Sequence, residues 1–232
     1  MPTGIRKHFI YWVFPALVVL ALIAMYFSGV DPLRQAVAPR LNREFGLLEN
    51  IQHLTLITII VLGYRAARAS GSQLRRSMFL FIVAVTAWMF LEEVDYGLHW
   101  WELAAGVPPE DRATVRNLHN IGGTTQDIKF VGNTVMILLF VVLPFVGRKS
   151  AFAWWRYFRP SRYLVITAVV TFLLARLAHY LADGGYYPDG PISSNISEFR
   201  EVMVYYVWLI YFCSLARRPW PGDPVAGAGL SA

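Results

Sequence analysis

Apolar residues occur along this chain in long blocks that are separated by short polar stretches. Six blocks come close to the roughly 20 residues that a helix needs to cross a hydrocarbon core of about 30 Å. They cover residues 9–28, 47–66, 77–101, 130–146, 163–182 and 199–216. The pattern predicts an all-α fold, a polytopic transmembrane helical bundle of about six spans.

The segments around these blocks complete the domain organisation. Between the first two blocks, Asp31 and Pro32 begin a short amphipathic stretch, which predicts an interfacial helix. The first block follows basic residues, as in a signal peptide, but its length and the lack of a small-x-small cleavage site favour an uncleaved helix. Residues 1–218 are predicted to form one transmembrane domain, and the Pro- and Gly-rich stretch 219–232 a disordered cytoplasmic tail.

Composition supports a membrane protein and disfavours a nucleic-acid partner. Of the 232 residues 56% are hydrophobic and only 16% are charged, whereas a soluble domain carries about 25% charged residues. The net charge of +6 comes from arginines that flank the apolar blocks and form no basic face, so membrane lipids with anionic headgroups are the expected partners. The single cysteine, Cys213, allows neither an intramolecular disulfide nor a Cys-rich zinc site.

Basic residues at the ends of the blocks predict the orientation. The side that carries more of them holds Arg6, Lys7, Arg65, Arg68, Arg75, Arg76, Arg148, Lys149, Arg156, Arg159, Arg162, Arg217 and Arg218. By the positive-inside rule this side is cytoplasmic, so both termini lie inside. Because lysine is scarce beside arginine, as in GC-rich bacterial genomes, the predicted location is the bacterial inner membrane. Every Asp and Glu except Asp223 falls on the periplasmic side.

The third block ends in an unusually polar sequence. If its helix continues, Glu92, Asp95, His99 and Glu102 follow at i, i+3, i+7 and i+10 and form one stripe, with Glu93 on another face. A carboxylate at membrane depth costs several kcal/mol unless it is paired, protonated or ligated. Such residues therefore indicate a functional site.

Other blocks and one loop place polar residues in the same layer. These are Glu49 and His53, the loop residues Arg116, Asn117, His119 and Asn120, then Arg176, His179 and Asp183, and finally Glu198, Arg200 and Glu201. Structural explanations exist for several of them: helix capping for Glu198, packing for His53, and ion pairs for Arg176 and Arg200. The embedded acids nevertheless outnumber the embedded arginines. Because like charges in a low dielectric cannot all ionise, some carboxyls are protonated or a cation is bound.

The chain resembles a family of poorly characterised bacterial inner-membrane proteins over residues 43–120, approximately. That family has a Glu-Glu-x-x-Trp-Gly-Gln-like helix end followed some twenty residues later by Asn-Leu-His-Asn. The matching residues here are Glu92, Glu93, Tyr96 and Gly97, then Asn117, Leu118, His119 and Asn120, with Glu49 opening the preceding block. The chain departs from the pattern at Tyr96 and His99. Since the family has no assigned reaction, the resemblance implies where the site is and not what it does.

The first functional hypothesis is a membrane-embedded, metal-dependent hydrolase or transferase that acts on a lipid or lipid-linked substrate. A catalytic zinc site needs three His or carboxylate ligands and an open position, and iron or manganese would suit the same donors. The candidate ligands are Glu92, Asp95, His99, His119 and His179. Glu93 or Glu201 would be the general base, and Arg116 or Arg176 would hold an anionic headgroup.

Two other classes remain open. A non-catalytic membrane subunit or assembly factor would dock a membrane-protein partner through an aromatic rim that includes Trp100 and Trp101. A proton or cation relay would need polar groups through the other half of the bundle, where Thr86, Thr134 and Thr171 are candidates. A haem-bearing electron carrier, a variant of this class, would need two facing imidazoles, for which His53 and His179 are candidates.

Overall fold

The computed structural model describes residues 3–39, 45–108, 124–146, 153–184 and 196–221, and these ranges are helical and hold no β-strand. The α-helices within them are α1 Thr3–His8, α2 Phe14–Tyr26, α3 Asp31–Val37, α4 Leu47–Arg68, α5 Gln73–Glu93, α6 Leu98–Ala104, α7 Thr124–Ile137, α8 Ala153–Phe158, α9 Tyr163–Asp183 and α10 Ile196–Arg217. The predicted all-α fold is confirmed for these ranges, and α3 lies where the amphipathic stretch predicts a helix.

Five helices in the described part of the chain are long and apolar enough to cross a membrane, which is typical of a multi-pass membrane protein. They are Gly4–Tyr26, Leu47–Arg68, Gln73–Glu93, Tyr163–Asp183 and Glu198–Arg217. The fourth predicted span appears as a shorter apolar helix, Phe130–Val142. It consists of most of α7 and a π-helical stretch, Leu138–Val142.

Helix α4 packs against α5 on one side and α10 on another, and α10 also packs against α9 and α2. Two apolar cores lie at opposite ends of this bundle. The core at the first end contains Leu48, Ala178, Ile196 and Phe199, and the core at the second contains Ala67, Phe79, Phe140, Leu164 and Leu215. We call the first the polar end, where α4 and α10 begin and α5 and α9 end, and the second the basic end.

A second π-helical stretch, Phe9–Val13, links α1 to α2 inside the first span. A π-bulge interrupts the regular hydrogen-bond ladder, so nearby carbonyls need other donors. Tyr206 of α10 donates to the carbonyl of Ile10 at 2.5 Å, and Thr167 of α9 donates to that of Tyr11 at 2.9 Å. These two side chains anchor the first span to its neighbours.

The prediction that the third helix continues to residue 101 is wrong. Helix α5 ends at Glu93, and Asp95, Tyr96 and Gly97 then adopt left-handed backbone conformations with φ of +48°, +54° and +81°. The chain resumes as the separate helix α6 at Leu98. Positive φ is easy for glycine and costs about 1–3 kcal/mol for other residues, so the Asp-Tyr-Gly sequence forms a strained turn that ends the span.

Candidate functional site

Polar side chains that are at most 7% exposed gather at the polar end of the bundle. We call them the polar cluster, and they are Glu49, Gln52, His53, Glu92, Asp95, His99 and Glu102. Helix α4 contributes the first three from its first two turns, and the end of α5, the left-handed turn and α6 contribute the other four. Buried ionisable groups need partners, and each of the ionisable members takes part in interactions of the folded protein.

The left-handed turn after α5 changes how the predicted stripe is built. Glu92, Asp95, His99 and Glu102 do not lie along one helix, yet all four are buried. The turn redirects the chain so that α6 places His99 and Glu102 back against the bundle. The ring of His99 lies edge-on to that of Phe45, just before α4, with centroids 5.5 Å apart.

The two adjacent carboxylates at the end of α5 each accept a hydrogen bond from a tyrosine. The hydroxyl of Tyr96 donates to Oε1 of Glu92, within the same turn. The hydroxyl of Tyr205, on α10, donates to Oε1 of Glu93. The bond to the Glu92 carboxylate raises the pKa of Tyr96, because ionising the phenol would break this bond and bring two negative charges together.

Helix α4 has its own polar link to α10. Nε2 of Gln52 donates to Oε2 of Glu198 at 2.9 Å, and Gln52 is fully buried. Its Oε1 has no hydrogen-bond partner among the described residues. On a neighbouring face of α4, the ring of His53 lies edge-on to Phe90 of α5, with centroids 5.8 Å apart. The polar cluster therefore sits where α4, α5 and α10 meet.

The structure does not bring the polar residues of α9 to this cluster. Arg176, His179 and Asp183 do share one face, but that face is exposed. The reason is that α9 packs on α2 and α10 through its opposite face, where Ala175 and Ala178 allow close contact. These three residues, predicted as a headgroup holder, a metal ligand and a supporting polar group, therefore lie on a face of α9 that is not turned to the polar cluster.

The haem hypothesis loses its ligand pair for the same reason. His53 is buried between α4 and α5, whereas His179 is exposed on α9, so the two imidazoles do not face each other. Glu201 and Glu198 are half-buried on α10, the helix that carries Tyr205. The predicted loop residues Arg116, Asn117, His119 and Asn120 lie outside the described residues.

No three His, Cys, Asp or Glu side chains within the described ranges are arranged as a metal-binding group. Glu92, Asp95 and His99 remain the described members of the predicted ligand set that are buried together in the polar cluster. Of the two other predicted ligands, His179 is exposed on α9 and His119 lies outside these ranges.

The sequence did not identify Gln52 and Tyr205 as site residues, and it identified Tyr96 only as a match to the family pattern. Gln52 lies three residues after Glu49 and thus on the same face of α4, while Tyr205 lies four residues after Glu201 on α10. Tyr96 lies four residues after Glu92, although the left-handed turn, and not a helix, brings them together. Helical spacing from an acid embedded in a span is the signal that could have found Gln52 and Tyr205.

Comparisons of the chain with protein-family models, with curated proteins and with solved structures found no match.

Proposed function

We propose that the chain is a membrane-embedded enzyme that carries out acid–base chemistry on a lipid or lipid-linked substrate at the polar end of the bundle. The observation that carries this proposal is the polar cluster itself. Burying several carboxyls and two histidines beside apolar spans is costly, and the cost is concentrated where three helices meet. Clusters of buried ionisable side chains such as this one are where catalytic acids and bases occur.

In the proposed site Glu93 is the general base, and Tyr205 orients it. A general base must be held in a fixed geometry within hydrogen-bond reach of the proton that it removes. The hydroxyl of Tyr205 donates to one oxygen of the carboxylate and so holds the base in a defined orientation. Glu201, one turn before Tyr205 on α10, is the alternative base.

We also propose a divalent metal held by His119 together with one or two of Glu92, Asp95 and His99, because these three do not form a metal-binding group by themselves. Carboxylate and imidazole donors suit zinc, iron or manganese. When bound, such an ion would polarise an ester or phosphoryl oxygen of the substrate. Arg116 is the proposed contact for an anionic headgroup.

The proposed location is the bacterial inner membrane, with the polar end toward the periplasm. The basic end carries Arg65, Arg68, Arg75, Arg217 and Arg218, so the positive-inside rule places that end in the cytoplasm. The substrate would then be a lipid of the periplasmic leaflet.

The proposal is tested by comparing membrane lipids from cells that express the wild-type chain or its Glu92→Gln variant. Mass spectrometry of total lipid extracts should show one lipid class depleted and a product enriched only with the wild-type chain. The matched control is Asp31→Asn, which neutralises an exposed carboxylate of α3 at the same end of the bundle. If Glu92→Gln changes the lipids as the wild type does, the proposed site is wrong.

Elemental analysis of detergent-purified protein tests the metal separately. A stoichiometric transition metal in the wild type that is lost from a Glu92→Gln, His119→Ala double variant is the expected result. If neither protein holds metal after incubation with zinc, iron and manganese, the metal part of the proposal fails, and metal-free acid–base chemistry remains.

A docking subunit is the second candidate, and a specific observation favours it. Trp100 and Trp101 of α6 are 46% and 64% exposed directly beside the buried His99 and Glu102. Large exposed aromatics are common in protein interfaces, although they also occur in the aromatic belt of membrane proteins. Specific loss of one co-purified membrane protein from a Trp101→Ala variant, with an unchanged lipid profile, would favour this candidate over the enzyme.

A proton or cation relay receives no support from the described residues in the spans. The relay candidates Thr86, Thr134 and Thr171 each donate their hydroxyl hydrogen to a carbonyl of their own helix, at 2.7 to 2.8 Å. Those hydroxyls satisfy local backbone acceptors and do not link one end of the bundle to the other.

A further inference from the structure

A cavity of about 290 Å³ lies between α5 and α10, below the polar cluster. Leu56 and Ile59 of α4 form its floor, Val85 and Met89 of α5 form one wall, and Trp208 of α10 forms part of the other. Helices α5 and α10 both pack on α4, so the cavity is the space between two spans that share one neighbour. We call it the α5–α10 groove.

The groove is apolar along its length. Its one hydroxyl-bearing wall residue on α5, Thr86, donates its hydroxyl hydrogen to the carbonyl of Ile82, so that donor is already used within the helix. On α5 the lining residues run from Met89 to Phe81, a separation of eight positions or about 12 Å along the helix. Because α5 is the least buried of the five spans, the groove lies beside a helix that faces lipid over most of its surface.

One end of the groove is polar. Tyr205 lines it at the end nearest the polar cluster, and the hydroxyl of Tyr205 donates to Glu93. Met89 lies one helical turn before Glu93 on α5, so the apolar walls begin directly below this hydrogen bond. A ligand in the groove would thus meet hydrocarbon along its length and a phenol–carboxylate pair at one end.

We propose that the α5–α10 groove binds one acyl chain of a membrane lipid and directs its head group to Tyr205 and Glu93. A lipid has the same division into an apolar chain and a polar end, and it is the solvent that surrounds α5. The volume is at the lower limit of the roughly 300–1,000 Å³ that is typical of ligand pockets, so it suits a single chain and not a whole lipid. The inference rests on the proposed function, for which it supplies the route of the substrate into the site.

The test uses full-length protein in vesicles of phosphatidylethanolamine and phosphatidylglycerol with a small fraction of a phospholipid that carries a diazirine in its acyl chain. After irradiation, adducts are mapped on peptides by mass spectrometry. Adducts on Met89 and Trp208 report the groove, and adducts on Leu54, which is 65% exposed on α4, report the surrounding lipid. Val85→Trp fills the groove, while Val61→Trp makes the same change on an exposed part of α4.

The expected result is that Val85→Trp lowers the groove adducts about tenfold, equivalent to a loss of about 1.4 kcal/mol in binding, and leaves the Leu54 adducts unchanged. Val61→Trp should change neither set. The smaller Val85→Phe substitution serves if Val85→Trp does not insert. Groove adducts that both substitutions at Val85 leave unchanged, or that Val61→Trp lowers equally, would overturn the proposal.

The two experiments distinguish failure of the groove proposal from failure of the catalytic proposal. If the groove adducts behave as expected but Glu92→Gln does not alter the lipid profile, the groove stands and the catalytic proposal falls. If the lipid profile depends on Glu92 but the groove adducts do not depend on Val85, the catalytic proposal stands and the acyl-chain site is wrong.

Discussion

The hydroxyl of Tyr205 on α10 donates a hydrogen bond to the carboxylate of Glu93, the last residue of α5. The two residues are 112 positions apart in sequence, and the bond joins two helices whose intervening space is the α5–α10 groove. The same bond therefore fixes the proposed general base and closes the polar end of the groove.

Removing the Tyr205 hydroxyl should destabilise the protein, and the size of this effect should depend on whether Glu93 is present. A hydrogen bond to a charged group contributes about 1.5–3 kcal/mol, so Tyr205→Phe should lower the free energy of unfolding by about that amount. In a double-mutant cycle with Glu93→Gln, measured by unfolding in detergent, we expect a coupling energy of about 0.5–3 kcal/mol. Tyr96→Phe is the control, because Tyr96 bonds Glu92 and should show almost no coupling to Glu93.

Tyr96 should give a pH-dependent contribution to stability. Its pKa is raised above the ordinary tyrosine value of about 10, chiefly by the hydrogen bond to Glu92, so the contribution is complete below pH 10 and is lost as pH rises through the higher folded pKa. The melting-temperature difference between the wild type and Tyr96→Phe should stay constant from about pH 7 to about pH 9 and shrink above pH 10. Tyr180→Phe, at a 69% exposed position of α9, controls for the general loss of a phenol. A difference that grows with pH would contradict the assigned bond.

Sequence patterns located the helices well because membrane spans are long and almost uniformly apolar. Helix α9, for example, extends over 163–183, and the pattern predicted 163–182. The end of the third span could not be predicted in this way. Whether Asp95 and Tyr96 adopt left-handed conformations depends on tertiary contacts, and Gly97 was the single local signal for a turn.

For the site, too, helical periodicity predicts which residues share a face, whereas packing between helices determines which faces meet. Helical spacing correctly groups Arg176, His179 and Asp183 on one face, but it does not say whether that face is turned to a neighbour or to the surroundings. The small residues Ala175 and Ala178 on the other face were the available hint, since small side chains allow transmembrane helices to approach closely. Which polar residues of different helices come into contact depends on which face of each helix packs against its neighbours.

Gly46 should be essential for placing the start of α4, and with it Glu49 and Gln52. A Cβ at this position would lie 2.2 Å from the carbonyl oxygen of Val37 and 2.8 Å from Pro39. Gly46→Ala must push α4 away from α3, and overpacking of this kind costs about 1–3 kcal/mol. Gly71→Ala, at a turn where a Cβ meets nothing within 4 Å, is the matched control and should be neutral or slightly stabilising in the same unfolding experiment. Equal melting temperatures for the two variants would contradict this account.

At the basic end, Arg218 should hold the end of α10 against α8. Its guanidinium donates to the carbonyls of Tyr157 and Arg159, the latter at 2.7 Å, and to the hydroxyl of Ser214 at 2.9 Å. Lysine cannot reproduce this forked geometry, so Arg218→Lys should cost about 1.5–3 kcal/mol of unfolding free energy. Arg217→Lys, the same change at an exposed neighbour, should be nearly neutral. A large loss from Arg217→Lys would indicate that replacing any arginine at this end is destabilising, and that the hydrogen bonds of Arg218 are not the specific cause.

The positions of the helix ends predict a sixth crossing of the membrane. Helix α5 ends at the polar end, whereas α9 begins at the basic end, so the chain between Glu93 and Tyr163 must pass from one end to the other. Helix α7, with 14 residues, and the five-residue π-helical stretch after it rise roughly 27 Å, close to the hydrocarbon thickness of about 30 Å. Phe140, near the end of this stretch, packs in the core of the basic end.

Cysteine labelling in intact cells distinguishes six crossings from five. In a Cys213→Ser background, single cysteines replace Ala69 between α4 and α5, Ala105 after α6, and Arg156 in α8, all of which are exposed. Six crossings place Ala69→Cys and Arg156→Cys on the same side of the membrane and Ala105→Cys on the other side. A membrane-impermeant maleimide should therefore label either the first two cysteines or Ala105→Cys, and not all three. Cytoplasmic placement of the basic end predicts that only Ala105→Cys is labelled. If Arg156→Cys reacts together with Ala105→Cys while Ala69→Cys does not, the stretch from α7 to Val142 does not cross, and the C-terminus lies on the side opposite to the N-terminus.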